Sequence, residues 1–332
     1  MKYTDNAINI ITTKIYKGIG RAWIIKRLKG NESVEKIVSL LNNNSKQEEL
    51  ITIDDFEFNK KQITNQIEIL GESCDGIVAI GDKNFPNYRG NVKESERPIF
   101  LFYKGDISLL NIENKNITVI GLLNPDEKIE SREQKIVSEI IKKGITIVSG
   151  LAFGCDSIAH KQALIGGKTI AFLPSPLNKI MPAKNRGLAF DIVEQGGLLV
   201  SEYFDEHKSA MHLSSRYKER DRLQALFCDT IILAASYAQD TAERWKLFGQ
   251  KLDSGARLAM GFANDYNIPS AVMYDENIDI NNPMFDLNRQ LIAKQKNITI
   301  LTQKSLKEII NNIELNKENS IKQNNFKSDL FG

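Results

Sequence analysis

The chain has 332 residues, of which 42% are hydrophobic and 26% are charged, and its formal net charge at pH 7 is +2. This composition is typical of a globular protein with one large and one small domain, and it excludes a globally basic surface, so any nucleic-acid site must be a local patch. Cys74, Cys155 and Cys228 show no C-x-x-C spacing, and no apolar run approaches membrane-spanning length. We therefore expect a cytoplasmic protein without disulfides, membrane contact or a zinc site.

Residues 1–72 predict a small helical domain. Apolar residues at helical spacing predict helices near residues 7–11 and 22–28, Ser33 is a candidate N-cap for a third helix, and a fourth begins at Asn59 or Lys60. The tight turn at 17–21, K-G-I-G-R, is compatible with a helix-hairpin-helix (SAM-like) motif, which offers backbone N–H groups to a DNA phosphate. The interpretation that we favour is a plain bundle in which the glycines only close the turn.

Residues 76–312 alternate strands and helices. This alternation predicts an α/β domain, a Rossmann-like doubly wound and mostly parallel sheet with helices on both faces. The predicted strands cover 76–80, 97–105, 116–121, 145–148, 169–173, 197–202, 230–234, 270–274 and 298–301.

The stretch 145–164 is the most informative part of this domain. An apolar strand is followed by the turn S-G-L-A-F-G and by a helix that Asp156 or Ser157 could cap. Such a turn presents backbone N–H groups and the positive end of a helix dipole to an anion, and Gly150 and Gly154 allow close approach. The alternative is an ordinary strand–helix turn that binds nothing.

Several polar or glycine-rich segments follow predicted strands. Because the carboxyl ends of parallel strands meet at one edge of a sheet, and ligands bind there at a topological switch point, we expect these segments to share one rim. They are 121–124, 149–156, 174–178, 201–202 and 234–236.

The sequence of residues 149–160, S-G-L-A-F-G-C-D-S-I-A-H, resembles the S-G-x-A-x-G-x-D-x-x-A-H signature of the DprA (Smf) family of DNA-processing proteins. Further family motifs follow in the same order along the chain, so the chain is identified as a member of that family. They are F-P at 85–86, L-F-Y-K-G at 101–105, G-G-K-T-I-A at 166–171, M-P-A-K-N at 181–185, G-L-L-V-S-E-Y at 197–203, R-D-R-L at 220–223, S-G-A at 254–256 and N-R-Q-L-I at 288–292.

The resemblance implies a function as well as a fold. It implies a non-enzymatic protein without a cofactor that binds single-stranded DNA during transformation, helps to load a RecA-type recombinase, and forms a homodimer. The residues that it implicates in DNA binding are Gly121, Ser149, Gly150, Gly154, Asp156, Lys168, Arg216, Lys218, Arg220, Arg222, Ser254 and Gly255.

These residues have different expected roles. Arg220 and Arg222 would supply positive charge, with Arg216 and Lys218 as an electrostatic approach. Because Glu219 and Asp221 are interleaved with them, a solvated helix start with internal ion pairs is the alternative. Carboxylates are poor phosphate ligands, so Asp156 is expected to hold the turn by capping and by contact with His160 one helical turn later. Ser201 and Glu202 are likewise expected to hydrogen-bond backbone N–H groups.

Departures from the family pattern leave a second function open. The family's G-S-R arginine is absent, since the chain reads Gly121-Leu122-Leu123, and no winged-helix tail is expected. The alternative is a nucleotide-binding or nucleotide-hydrolysing protein of the LOG type, or a defence-related sensor, with Asp156 and Glu202 as an acid–base pair. The P-G-G-x-G-T-x-x-E motif of LOG proteins is missing, and the three histidines lack metal-ligand spacing.

Two segments near the end carry separate predictions. The insertion 237–253 predicts an amphipathic helix over 240–252, which either packs on the sheet or contacts a partner. Residues 313–332 are predicted to form a disordered polar tail. Its tip, with Leu330 and Phe331, resembles peptides that dock in bacterial sliding clamps, although it could equally be an inert chain end.

Overall fold

In the computed structural model, residues 1–44, 46, 49–250, 252, 255–295 and 297–330 are described, with side chains in the last helix described as far as Lys317. A helical module precedes a nine-stranded sheet that has helices on both faces. Among these residues no helix is both long and apolar enough to cross a membrane.

Among the described residues of 1–72, four α-helices form the N-terminal module. Thr4, Ser33 and Thr52 cap three of them through their side chains. The fourth helix begins earlier than residue 59, because Thr52 and Asp55 form a reciprocal capping box that satisfies the first backbone N–H groups. The helices are α1 Asp5–Thr13, α2 Arg21–Arg27, α3 Val34–Asn42 and α4 Ile53–Glu68.

The predicted strands are present with small shifts at their ends. Most are short runs of buried apolar residues, the pattern expected for a sheet covered on both faces. They are β1 Gly76–Ala79, β2 Phe100–Gly105, β3 Asn116–Ile120, β4 Thr146–Ser149, β5 Thr169–Leu173, β6 Leu198–Ser201, β7 Thr230–Leu233, β8 Ser270–Val272 and β9 Ile298–Ile300.

The helices of the main domain connect these strands. They are α5 Glu127–Ile141, α6 Cys155–Ala163, α7 Arg186–Glu194, α8 Ala210–Leu226, α9 Thr241–Arg244, α10 Ala256–Asp265, α11 Glu276–Asp279, α12 Asp286–Lys294 and α13 Gln303–Leu330.

The strand order confirms the Rossmann-like prediction. The sheet reads β1-β2-β6-β5-β4-β3-β7-β8-β9, and all pairs from β6 to β9 are parallel. Strands β1 and β2 add an antiparallel extension. From β3 the chain builds outward to β6 on one side and then returns with β7 on the other, so the topological switch point lies between β3 and β7.

The strand register brings the predicted segments to one edge, which we call the carboxyl rim. Ile120 pairs with Leu233, Ser149 pairs with Ala171, and Leu173 pairs with Ser201. The turns after β3, β4, β5, β6 and β7 therefore leave the sheet on the same side, as expected.

The module and the sheet share a hydrophobic core. Ile8 and Ile11 of α1 belong to the same buried cluster as Phe100 and Phe102 of β2 and Ile192 of α7. A second cluster on the other face joins the sheet to α8 and α10. The helical module is thus packed on the sheet rather than tethered to it.

Three predictions near the C-terminal half are corrected. Helix α8 starts at Ala210, capped by Ser209, ten residues before the predicted start at Arg220. Within the described residues of the insertion, 237–250 and 252, the predicted helix over 240–252 is reduced to the short helix α9, and Lys246, two residues after its end, has φ of 54°. The predicted disordered tail is helical as far as Leu330, because α13 runs through it, and Ile313 at its start is buried in the core.

Candidate functional site

The turn after β4 forms the centre of the carboxyl rim. Gly154 is the N-cap of α6 with φ of 66°, and a Cβ on it would lie 2.1 Å from the carbonyl oxygen of Leu122. Leu151 also has a positive φ of 58° and is buried. A left-handed leucine is strained, so the surrounding structure must hold this turn.

Two side chains hold the turn through its backbone. The N–H groups of Gly150 and Ala152 donate to Oδ2 of Asp156, at 3.1 and 3.3 Å, and the N–H of Leu151 donates to Nε2 of His160 at 3.3 Å. Asp156 is therefore not the N-cap but reaches back from the first turn of α6. Three N–H groups that could have faced a phosphate are already taken by protein acceptors.

His160 is buried and neutral. Its Nδ1 lies 2.7 Å from Oγ1 of Thr169, and that hydroxyl donates to the carbonyl of Ile147. With Nε2 accepting from Leu151, Nδ1 carries the proton. Burial lowers the pKa of His160 to about 3, and the charge of Arg220 adds to this effect. His160 and Asp156 thus accept hydrogen bonds from different backbone N–H groups, in place of the contact between them that we expected.

Arg220 lies directly against the glycine turn. A Cβ on Gly150 would be 1.5 Å from its Nη1, so a side chain at residue 150 would displace Arg220 from this position. The same nitrogen is 3.4 Å from Oδ2 of Asp156 and 3.1 Å from Oε1 of Gln224. Burial raises the pKa of Asp156, and Arg220 and the turn N–H groups oppose that rise.

Arg222 joins a second ion-pair cluster. Its guanidinium pairs with Glu202, and its Nε lies 3.2 Å from Oε2 of Glu219. Burial alone would raise the pKa of Glu202, but Arg222 and Arg21 hold it below its usual value. Glu202 therefore meets guanidinium groups rather than the backbone N–H groups that we expected.

Arg216 is held by the loop after β6. It donates to the carbonyl of Asp205 at 2.6 Å and to its carboxylate at 2.8 Å, and it stacks 4.1 Å from the ring centroid of Tyr203. Arg216, Arg220 and Arg222 are only 2%, 6% and 1% exposed. They are therefore not an exposed approach to DNA, and direct contact with DNA stays a prediction. The alternative is right about the internal ion pairs, since Arg220 pairs with Asp221 and Arg222 pairs with Glu219, but wrong about solvation, because the arginines are buried. Lys218 remains exposed.

The other predicted residues lie at several places, and those on the rim make contacts within the protein. Ser149 is buried and donates to the carbonyl of Val119, while Gly121 packs against Cys155. Ser201 donates to the carbonyl of Ser175 and accepts from the N–H of Tyr203, the structural role expected of it. Gly255 is the N-cap of α10, and Ser254 lies outside the described residues.

Lys168 is on the wrong edge of the sheet. It precedes β5, at the amino end of that strand, and its Nζ lies 3.4 Å from Oδ2 of Asp106. The rim is at the other end of β5, so Lys168 is not part of this site.

Two of the cations beside the Gly18–Gly20 turn, Lys14 and Arg21, contact residues of the sheet domain. Arg21 contacts Oε2 of Glu202 at 3.2 Å and Oε2 of Glu219 at 2.8 Å. The ammonium of Lys14 lies 5.1 Å from the ring centroid of Phe100. This arrangement favours the plain bundle over a helix-hairpin-helix that presents its cations to DNA.

Asn185 and its neighbours were not predicted as site residues. The Nδ2 of Asn185 donates to the carbonyls of Leu151 and Ala152, at 2.8 and 3.2 Å, and to Oγ of Ser157. It therefore ties the start of α7 to the glycine turn and places the exposed Lys184 and Arg186 beside it. The motif M-P-A-K-N at 181–185 was the available signal.

Two exposed hydrophobic side chains lie on the rim, and one of them, Leu123, stands where the family's G-S-R motif has arginine. Phe153, at the tip of the glycine turn, is 40% exposed, and Leu123 after β3 is also exposed. An exposed ring on a rigid turn can stack on a base, and lysine and arginine beside it can neutralise phosphates. Within the described part of the chain, no three acidic, histidine or cysteine side chains cluster as metal ligands.

Comparisons with curated proteins find relatives of one kind. Protein Smf of Borreliella burgdorferi is 27% identical over 177 residues, which are 52% of this chain and 53% of the relative. The DNA processing protein DprA of Bacillus subtilis is 32% identical over 132 residues, which are 40% and 43% of the two chains. The chain thus matches about half the length of these relatives or less.

Solved structures match more of the chain. DNA processing protein A from Streptococcus pneumoniae aligns with a TM-score of 0.66 and 21% identity, covering 92% of this chain and 97% of that one. The Helicobacter pylori protein, for which a single-stranded DNA binding mode is described, aligns with a TM-score of 0.52 and 24% identity over 71% of this chain and 99% of that one. At such identities these matches show a shared fold.

A family model places the sequence more firmly. The model of DNA recombination-mediator protein A matches residues 76–242, half of the chain, from β1 through the rim to α9. The chain belongs to the DNA recombination-mediator protein A family.

Proposed function

We propose that the chain binds single-stranded DNA at the carboxyl rim and acts in DNA processing during transformation. The observation that carries this proposal is the exposed Phe153 on a turn that Asp156, His160 and Asn185 hold, with Lys184 and Arg186 beside it. Family membership and the DNA binding described for the Helicobacter pylori relative support it.

The contacts would divide into two kinds. Lys184, Arg186 and the exposed Lys218 on α8 would neutralise phosphates, which gives most of the affinity and makes it dependent on salt. Phe153 would stack on a base, and stacking tolerates any sequence because every base has a π-face. The buried arginines would act indirectly, by fixing α8 and the glycine turn.

Fluorescence anisotropy of a labelled single-stranded oligonucleotide tests this proposal. We expect Lys184→Glu/Arg186→Glu to weaken binding strongly and to reduce the slope of log affinity against log salt by about 0.7 for each lost phosphate contact. Lys143→Glu/Lys168→Glu is the matched control, since both lysines are exposed at the opposite edge of the sheet. Equal loss in both double variants, or no binding by the wild type at low salt, would contradict the proposed site.

The partners are proposed on the family resemblance. A RecA-type recombinase and a second copy of the chain are the expected partners, testable by pull-down and by sedimentation of the purified protein. Docking in a sliding clamp remains a prediction, because Phe331 and the side chain of Leu330 lie outside what the structure describes. Leu330→Ala/Phe331→Ala should abolish clamp capture if that prediction holds.

The nucleotide-processing alternative has less support. Asp156 pairs with Arg220 and the turn N–H groups, whereas Glu202 pairs with Arg222 and Arg21. Carboxylates that are buried and engaged by separate arginines are poorly placed to act together as an acid and a base. A nucleotide that binds the purified protein and competes with the oligonucleotide would favour this alternative.

A further inference from the structure

Arg21, Glu202, Arg222 and Glu219 form a closed ring of alternating charges. Oε2 of Glu202 is shared by Arg21 at 3.2 Å and by Arg222. Oε2 of Glu219 is shared by Arg21 at 2.8 Å and by Arg222 at 3.2 Å. The Oε2 atom of each glutamate therefore bridges two guanidinium groups, which fixes the geometry of all four side chains.

The ring joins three separate parts of the molecule. Arg21 is the first residue of α2 in the helical module, Glu202 follows β6 at the carboxyl rim, and the other two members lie on α8. Arg222 also donates to the carbonyl of Glu96, beside which α2 packs. Arg21 is thus the module's contribution to an ion-pair network of the sheet.

Helix α8 connects the ion-pair ring to the carboxyl rim. Arg220, on the same helix as Glu219 and Arg222, lies against Gly150 and pairs with Asp156. A rotation of α8 about its axis would break the ring and would also move Arg220 away from the glycine turn. The orientation of α8 and the shape of the turn are therefore coupled.

We propose that Arg21 is a positioning residue through which the helical module holds α8 and the carboxyl rim in the conformation that binds single-stranded DNA. This inference rests on the proposed function for its DNA readout. Arg21 itself is expected to touch no phosphate, since both ends of its guanidinium face carboxylates.

Removal of Arg21 should leave the fold intact. Glu202 keeps Arg222 as its partner, and Glu219 is partly exposed and can be solvated, so no buried charge is left unpaired. The matched control is Lys26→Ala, which removes a positive charge from the same helix. Among the ion pairs of the described residues, Lys26 pairs only with the partly exposed Glu94, at 3.2 Å.

The experiment measures DNA affinity across salt concentrations for both variants. We expect Arg21→Ala to bind the single-stranded oligonucleotide at least about fivefold more weakly, the lower end of typical coupling between sites, with an unchanged salt slope. Lys26→Ala should bind like the wild type. Unchanged affinity in Arg21→Ala would overturn the inference, and so would a salt slope smaller by about 0.7, because that would mean a direct phosphate contact.

A second measurement separates this inference from the proposed function. Amide hydrogen exchange of residues 210–226 should become faster in Arg21→Ala and in Glu219→Gln, but not in Lys26→Ala, whether or not DNA binds. If exchange in α8 is the same in all variants, the module does not position this helix and the inference fails. If the wild type binds no DNA but exchange still responds to Arg21, only the proposed function fails.

Discussion

Asp156 and His160 accept hydrogen bonds from three consecutive backbone N–H groups, those of residues 150–152. The two acceptors respond differently to acid. A carboxylate that gains a proton can still accept through its other lone pairs, whereas an imidazole protonated at Nε2 can no longer accept from Leu151. The turn therefore depends on His160 staying neutral.

His160 should make the protein less stable in mild acid. Its pKa is about 3 in the folded protein and about 6.5 in the unfolded chain, so between these values only the unfolded chain binds the proton. The free energy of unfolding should therefore fall by about 1.4 kcal/mol per pH unit from this group as the pH drops below about 6.5. Urea denaturation between about pH 5 and pH 7 measures the slope.

Substitution isolates this contribution. His160→Gln removes the titrating group, so its slope in that range should be shallower than that of the wild type, whatever its absolute stability. His207→Gln serves as the control, because His207 is only partly buried and lies on a loop outside the turn. Equal slopes in the wild type and in His160→Gln would show that His160 is not buried as a neutral base.

The sequence identified most residues of the glycine turn but not the partners of their charges. The motif at 149–160 marks Gly150, Asp156 and His160, and it places them in the loop after β4 and the first residues of α6. Arg220 is 64 residues away from Asp156, and Arg21 is 181 residues away from Glu202. Local pattern carries no information about such pairs, so exposed cations were expected where the structure has buried ion pairs.

At the scale of elements, apolar pattern predicted strands better than helix starts. Strand β5 has its predicted limits because Thr169–Leu173 is a continuous buried run. Helix α8 was missed over 210–219 because that half is mostly polar and is held by its cap and by the ion pairs of Arg216. Cap residues and tertiary contacts, rather than apolar spacing, decide where such helices begin.

The glycine turn should tolerate no side chain at residue 154. Gly154→Ala would need a positive φ and would push a methyl group against the backbone of residues 122 and 123, so we expect a loss of about 2 kcal/mol or more. Gly187→Ala is the matched control, because an exposed helical glycine with open space around it should gain up to about 1 kcal/mol. Thermal or urea unfolding of the two variants gives the comparison, and similar stabilities would argue against the strained turn.

At the scale of the whole molecule, the helical module and the Rossmann-like sheet are bound by a shared core as well as by ions. The cluster that contains Ile8, Ile11 and Ile24 of the module also contains Phe100 and Phe102 of β2. The sequence could predict two domains from the change from helices to alternating elements. It could not predict that their apolar faces are complementary, because that depends on packing.

The shared core predicts that the module and the sheet unfold together. The chain has two tryptophans, Trp23 on α2 of the module and Trp245 after α9 of the sheet domain, so each reports on one of the two parts. Trp23→Phe and Trp245→Phe each keep one tryptophan. In each variant, the urea transition followed by fluorescence should have the same midpoint and slope as the transition followed by circular dichroism, since coincident probes are the mark of a two-state transition. If the module instead unfolded on its own, the remaining Trp23 in Trp245→Phe would report an earlier transition. The buried cluster around Phe100 would then be too weak to couple the unfolding of the two parts.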